Sequence, residues 1–271
     1  MNKRVVIHID DIGSSTATNR AAFDLIQNKY ASSWSVMVPC NWFTEIVKNI
    51  KEINNIDLGI HLTLTSEWEN ENLKRKPTLP AQEVSSLIDN RWYFLPTVEY
   101  VLYKAELGEV RKELINQIEI AQKSWLSISH MDSHMWVLLH SRLFPIYKEL
   151  VEIFKIQPFI ANPGKWDVIG TWFYWCEDHI DKLTKLWFKV FDHFDPNSLC
   201  EDSSLSIENR IKAIKEWTTY FLSHVLPRDL KEEDKTPDYM FRQKEYESLK
   251  SKSIKQLLKD NNIDIINMKD I

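Results

Sequence analysis

Strand-like and helix-like patterns alternate from the first residues of this 271-residue chain with no linker between them, and nothing else constrains its fold as strongly. A short β-branched run, Arg4–Ile9, leads into a turn at Asp10-Asp11-Ile12-Gly13. Helical periodicity follows over 17–29, with Ala21, Ala22, Leu25 and Ile26 on one side. Trp34–Val38 reads as a second strand, Trp42–Ile53 as a second helix and Asp57–Leu64 as a third strand. A polar, proline-containing stretch at 66–96 breaks the rhythm and is expected to be an insertion or lid loop. Further on come a long helix over 98–125, a strand at Ile128–Asp132, a helix near 206–216, a strand at Tyr220–Val225, a helix near 239–260 and a strand at Ile263–Ile266. Trp-rich segments between 141 and 200 obscure the period. Such alternation predicts one α/β domain over 1–271, built on a parallel sheet. Its chemistry should sit where strands run into their helices.

Composition removes several classes. With only 5 glycines the chain carries no GxGxxG or GxxxxGK[ST] phosphate loop. A net charge of −5, without a basic patch, argues against nucleic acid as a partner. Cys40, Cys176 and Cys200 are far apart and form no CxxC, which fits a reducing compartment better than a disulfide scaffold or a thiolate zinc site. The opening MNKRVVIHIDD is a strand rather than a signal peptide, and no apolar run approaches the roughly 18 residues of a membrane span. A soluble, cytoplasmic protein is expected.

Polar residues of one kind recur at the strand ends: Asp10 and Asp11, His61 in GIHLTL, His130, Asp132 and His134 in HMDSH, and His224 in YFLSHVLP. Taken singly, each has a plain structural explanation. An acidic pair caps a helix, and a lone histidine in an apolar strand is usually core. Together they say more. Two histidines and a carboxylate from separate strand ends make the open-sided site that divalent metals use in catalysis, and a second aspartate supplies a base for water. Two adjacent carboxylates also favour a cation between them. His8, His140, His179 and His193 have no such company and read as structural or surface residues.

These motifs resemble the YdjC-like carbohydrate deacetylases, the group of chitooligosaccharide deacetylases. The family's D-D-F-G-x-S and nearby Asn are matched by Asp10, Asp11, Ile12, Gly13, Ser15 and Asn19. Its G-x-H-x-x-L-T is matched by Gly59, His61, Leu64 and Thr65, and its H-x-D-S-H by His130, Asp132, Ser133 and His134. A later histidine followed by proline and an R-x-x-E helix looks like His224, Pro227, Arg242 and Glu245. The chain departs at Trp136 and Leu138, where the family often has further histidines, and in PFIANPGKW, which lacks a common arginine.

The resemblance implies a deformed (β/α) barrel of the polysaccharide-deacetylase type. It further implies Asp11, His61 and His134 as metal ligands, Asp10 as catalytic base and His224 as acid, acting on short N-acetylated sugars. Asp132 would orient a ligating histidine. Mg²⁺ is the ion often described for the family, while mixed oxygen and nitrogen donors leave Zn²⁺, Co²⁺ and Mn²⁺ open. Among the tryptophans near motifs (Trp42, Trp68, Trp136, Trp166), Trp68 and Trp136 are the better candidates for a sugar platform, with Arg242 as a further substrate contact. Two other readings compete. One is a metal-dependent barrel hydrolase of a phosphoester, which would want basic residues near the strand ends, where only Arg20 is evident. The other is a non-catalytic carbohydrate-binding protein that keeps its metal. For the chain itself, a homodimer is compatible with the sequence.

Overall fold

The computed structural model of the chain describes residues 2–53, 57–161, 183–185, 188–198 and 206–271. Its strands are β1 (Lys3–Ile12), β2 (Ser33–Val36), β3 (Leu58–Leu62), β4 (Ile128–Ser133), β5 (Gln157–Pro158), β6 (His193–Asp195), β7 (Trp217–Ser223) and β8 (Ile263–Ile265). All pair in parallel, in the order β5-β4-β3-β2-β1-β7-β6, with β8 added beside β1. A parallel bridge from Ala161, past β5, to Phe191, ahead of β6, brings the two ends of this order together. The sheet therefore curls into a deformed (β/α) barrel, as expected. Strand β1 is its axis. It pairs with β7 over Lys3–Ile9, while its other side pairs with β8 over Lys3–Val5 and with β2 over His8–Ile12. Val5, Val6, Ile7 and Ile9 are fully buried, as a parallel strand covered on both faces requires.

The helices outside the sheet form where the periodicity places them, with two corrections. The first, α1 (Thr16–Gln27), is capped by Ser15, whose hydroxyl accepts from the Thr18 N–H at 3.0 Å. The second, α2, covers Phe43–Asn49. The single helix expected over 98–125 is two, α3 (Val98–Lys104) and α4 (Leu107–Lys123). Between them Ala105 is extended and buried, and its carbonyl accepts from Arg142 Nη2 at 2.7 Å, so tertiary contacts override the local helical pattern. After α5 (Phe144–Phe154) and α6 (Ile207–Lys212), the helix expected over 239–260 is likewise divided into α7 (Tyr239–Leu249) and α8 (Lys252–Asp260). Ser251 caps the second piece.

Segment 66–96 contains only one-turn helices and isolated bridges, yet it buries Trp68, Leu73, Arg75, Val84, Leu87 and Phe94. Glu113 of α4 holds it by accepting from the Thr78 N–H, the Thr78 hydroxyl and the Leu79 N–H. The segment forms one wall of the barrel mouth. Among the described residues no helix is long and apolar enough to cross a membrane.

Inside the barrel the packing is polar. His8, Ser33, Ser35, Gly59 and His130 meet there, with Tyr220 stacked on His8 at 4.9 Å. Gly59 is required by that crowding. A Cβ on it would lie 2.3 Å from Nε2 of His130, which its backbone faces across the β3–β4 pair.

Candidate metal centre

Asp10 and Asp11 would face opposite sides of a regular strand. They do not, because the register of β1 against β2 shifts between Ile9 and Ile12 and Asp11 takes φ 64°. This bulge turns both carboxyl groups into one cavity. The turn that follows is fixed by Gly13, at φ 95°, whose N–H donates to Asn19 Oδ1 at 2.7 Å.

The histidines come from the neighbouring strands. Parallel pairing of β3 with β4 puts His61 beside Asp132, and His61 Nδ1–H donates to Asp132 Oδ1 at 2.7 Å. His134 lies just past β4, where Met135 and Trp136 adopt φ of 50° and 53° and swing the chain across the mouth. Its Nε2 is 3.0 Å from Oε1 of Glu67, a residue of the 66–96 wall. Each imidazole thus has a carboxylate at its outer nitrogen and turns its other nitrogen inward, the orientation that outer carboxylates give to a metal-ligating histidine.

Three donor atoms then converge. Asp11 Oδ1 is 3.6 Å from His61 Nε2 and 3.1 Å from His134 Nδ1, and the two nitrogens are 3.3 Å apart. Metal–ligand bonds of about 2.1 Å place neighbouring donors about 3.0 to 3.4 Å apart, so two edges of this triangle match one face of a coordination shell and the third, at 3.6 Å, is slightly wider. Asp11 Oδ1 is buried and accepts no well-formed hydrogen bond, while Oδ2 accepts from Arg242 Nη1 at 2.9 Å. The field has the matching sign. Burial opposes a charge on His61, but Asp10, Asp132 and Asp11 outweigh it and push its pKa up to about 9. The negative field that favours a proton there is the kind that would favour a divalent cation in its place.

Asp10 stands beside this triangle. Its Oδ1 accepts from His8 Nε2 at 3.0 Å, and its Oδ2 lies 3.8 Å from His61 Nε2. His8 corrects the sequence reading, which set it aside. Its Nε2 also lies 3.1 Å from Asp132 Oδ2, so one buried ring links the two carboxylates. Against its burial, the hydrogen bonds to Asp10 and Asp132 hold its pKa up to about 9. Its neighbour His130, 5.1 Å away, has the Ser33 and Ser129 hydroxyls at its ring nitrogens and Asp57 Oδ1 3.9 Å from Nδ1, and is pushed down to about 4 by burial and by the charge on His8.

His224, immediately after β7, places Nε2 3.8 Å from Asp11 Oδ2, and burial lowers its pKa. The cavity beside these groups has a volume of about 270 Å³ and is also lined by Trp68, Trp136, Leu222, Asp238 and Arg242. Trp68 lies between the guanidinium groups of Arg75 and Arg242, 4.3 Å and 5.3 Å from its ring. Trp136 packs edge-on against Phe194. Trp42 is outside this lining, and Trp166 and His179 lie outside the described residues.

The structure thus brings Asp10, Asp11, His61, Trp68, His134, Trp136, His224 and Arg242 around one cavity. It also corrects the view that only Arg20 is near the strand ends, since Arg75 and Arg242 both reach the centre, although carboxylates already pair with both. Glu67 and Arg75 went unnoticed because nothing in their local sequence links them to His134. For His8 a signal existed, since it lies two residues before Asp10 and so shares its face of the strand.

Comparison with known proteins shows the family and the fold. A family model described as YdjC-like protein matches residues 4–260. A carbohydrate deacetylase of Thermus thermophilus is 33% identical over 158 residues, spanning 58% of this chain and 53% of that protein. A carbohydrate deacetylase of Thermoanaerobacter pseudethanolicus is 25% identical over 270 residues, 98% of each chain. Among solved structures, a proposed cellobiose-phosphate cleavage protein of Enterococcus faecalis superposes with a TM-score of 0.81 at 21% identity, over 100% of this chain and 99% of that one, and so shares its fold.

Proposed function

The chain belongs to the YdjC-like protein family, and from that premise we propose that it is a metal-dependent hydrolase removing acetyl groups from short N-acetylated sugars. The observation that carries this reading is the triangle of Asp11 Oδ1, His61 Nε2 and His134 Nδ1, with the second carboxylate of Asp10 beside it. The carbohydrate deacetylases to which the chain is similar support the substrate class.

Asp11, His61 and His134 would hold one divalent ion. Bound there, such an ion acts as a Lewis acid toward the acetyl carbonyl and lowers the pKa of water. Mg²⁺, Zn²⁺, Co²⁺ and Mn²⁺ all suit this donor set. The remaining work falls to the chain's own side chains. Asp10, with Oδ1 held by His8, takes a proton from the attacking water at Oδ2. The water oxygen bonds to the acetyl carbon, and the carbon–nitrogen bond then breaks. His224, once protonated at Nε2 from solvent, delivers that proton to the departing nitrogen, so that acetate and a free amine result. Asp132 and Glu67 hold the two ligating rings, and Arg242 holds Asp11 at the cavity wall. Trp68 and Trp136 offer apolar surfaces to the sugar.

Acetate release from N-acetylglucosamine and diacetylchitobiose tests the reading directly. Release should stop with a chelator and return when a divalent ion is restored. Stoichiometric metal binding without any acetate release would instead favour a non-catalytic carbohydrate-binding protein.

A further inference from the structure

Behind His224 lies a buried chain of polar groups that the reaction above does not use, and we propose that Ser198 and Glu245 fix the tautomer of His224, making Nε2 the nitrogen that exchanges protons with the cavity. Its consequence for rate rests on the proposed deacetylation; the tautomer itself does not.

Glu245, on α7, is saturated with donors. Its Oε2 accepts from the Ser223 hydroxyl at 2.6 Å, the His224 N–H at 2.9 Å and the Ser198 hydroxyl at 2.8 Å. Its Oε1 accepts from Arg210 Nη1 at 3.1 Å. Arg210 is anchored in turn, by Asp195 Oδ2 at 2.9 Å, the Leu222 carbonyl at 2.6 Å and the face of Phe221 at 4.0 Å. Arg210, Ser223 and Glu245 are all buried, which makes Glu245 a rigid acceptor.

Ser198 Oγ stands between that carboxylate and His224 Nδ1, which is 2.7 Å away. A hydroxyl has one proton, and the charged carboxylate is its stronger acceptor. With that proton given to Glu245, Ser198 faces the imidazole with lone pairs alone, so Nδ1 must carry hydrogen. In the neutral ring the free lone pair is then on Nε2, which faces Asp11 Oδ2 across the cavity at 3.8 Å. The opposite tautomer would set two lone pairs against each other or take Ser198 away from Glu245. When the imidazolium gives its Nε2 proton to the leaving nitrogen, the ring is left in the form that Ser198 already holds. No ring flip is needed. Ser198 and Glu245 are positioning residues.

Long-range proton–nitrogen correlation spectra of the protein, with nitrogen-15 histidine and a diamagnetic divalent ion, read the tautomer without reference to any reaction. We expect His224 as the Nδ1–H form in the parent, and a mixture in Ser198→Ala and Glu245→Gln. For acetate release, Ser198→Ala should lower kcat about 10- to 100-fold with KM little changed, and Ser198→Thr should restore it. Should Glu245→Gln fail to fold, Ser198→Ala decides, because it removes one half-buried hydroxyl. An Nε2–H ring in the parent, or an unchanged spectrum in Ser198→Ala, overturns the assignment. The expected tautomer together with no hydrolysis of N-acetyl sugars would uphold it and remove the proposed function.

Discussion

At the mouth of the barrel Asp11, Met135 and Trp136 are held at φ of 64°, 50° and 53°, and at the opposite end Trp125, ahead of β4, and Trp217, at the start of β7, sit at 62° and 79°. A side chain in this left-handed region costs about 1–2 kcal/mol. At the mouth that strain has a visible use, because it turns Asp11 beside Asp10 and carries the chain past His134 across the cavity. At the far end it has none of this kind. Trp125 is 93% exposed and merely ends α4, where glycine is the usual residue. The same backbone state is therefore held by ion pairs at Asp11 and only tolerated at Trp125.

Substitutions can break or sharpen this contrast, and they are ordered here by expected size. Asp11→Asn removes one corner of the donor triangle, so acetate release should fall by about 10³-fold or more, while the melting temperature stays within a few degrees. A variant that kept the parent rate would show that the mouth's strain has no catalytic use. Gly59→Ala drives a methyl group into His130 inside the barrel. We expect a loss of roughly 3 kcal/mol in denaturant unfolding, and a loss below about 1 kcal/mol would mean that the polar interior yields. Asp132→Asn should weaken metal affinity about 10- to 100-fold by calorimetric titration, because His61 loses the charged acceptor that holds Nδ1–H outward. Trp125→Gly, at the far end, should leave activity unchanged and raise stability by about 0.5–1 kcal/mol. If it destabilises instead, that exposed indole is making a contact worth more than its backbone strain.

The scarcity of glycine connects these observations. A chain with 5 glycines must place other residues at left-handed positions, and Lys29, Lys155 and Asn262 do the same work at helix ends. Gly13 and Gly59, by contrast, sit where a side chain would meet Met37 O or the His130 ring.

Much of the site was legible because its residues fall at strand ends, where an apolar run is interrupted by a polar residue. Asp10, Asp11, His61, His134 and His224 all carry that mark. His8 was hidden by its apolar neighbours, although its spacing from Asp10 placed it on the same face. Glu67 and Arg75 could not be read from local pattern, because their partner His134 is more than 50 residues away.

The sequence by itself determined the alternation of strand and helix, the parallel sheet and the polar residues at its strand ends, because periodicity and strand direction act over short stretches of chain. The closing of that sheet into a barrel was implied only by the family resemblance. Only the tertiary structure decided the bulge that brings Asp10 and Asp11 together, the folding of 66–96 into a wall, the division of two predicted helices, and which nitrogen of each histidine faces inward. Those depend on hydrogen bonds and close contacts between segments far apart in the chain, and a local pattern carries no record of them.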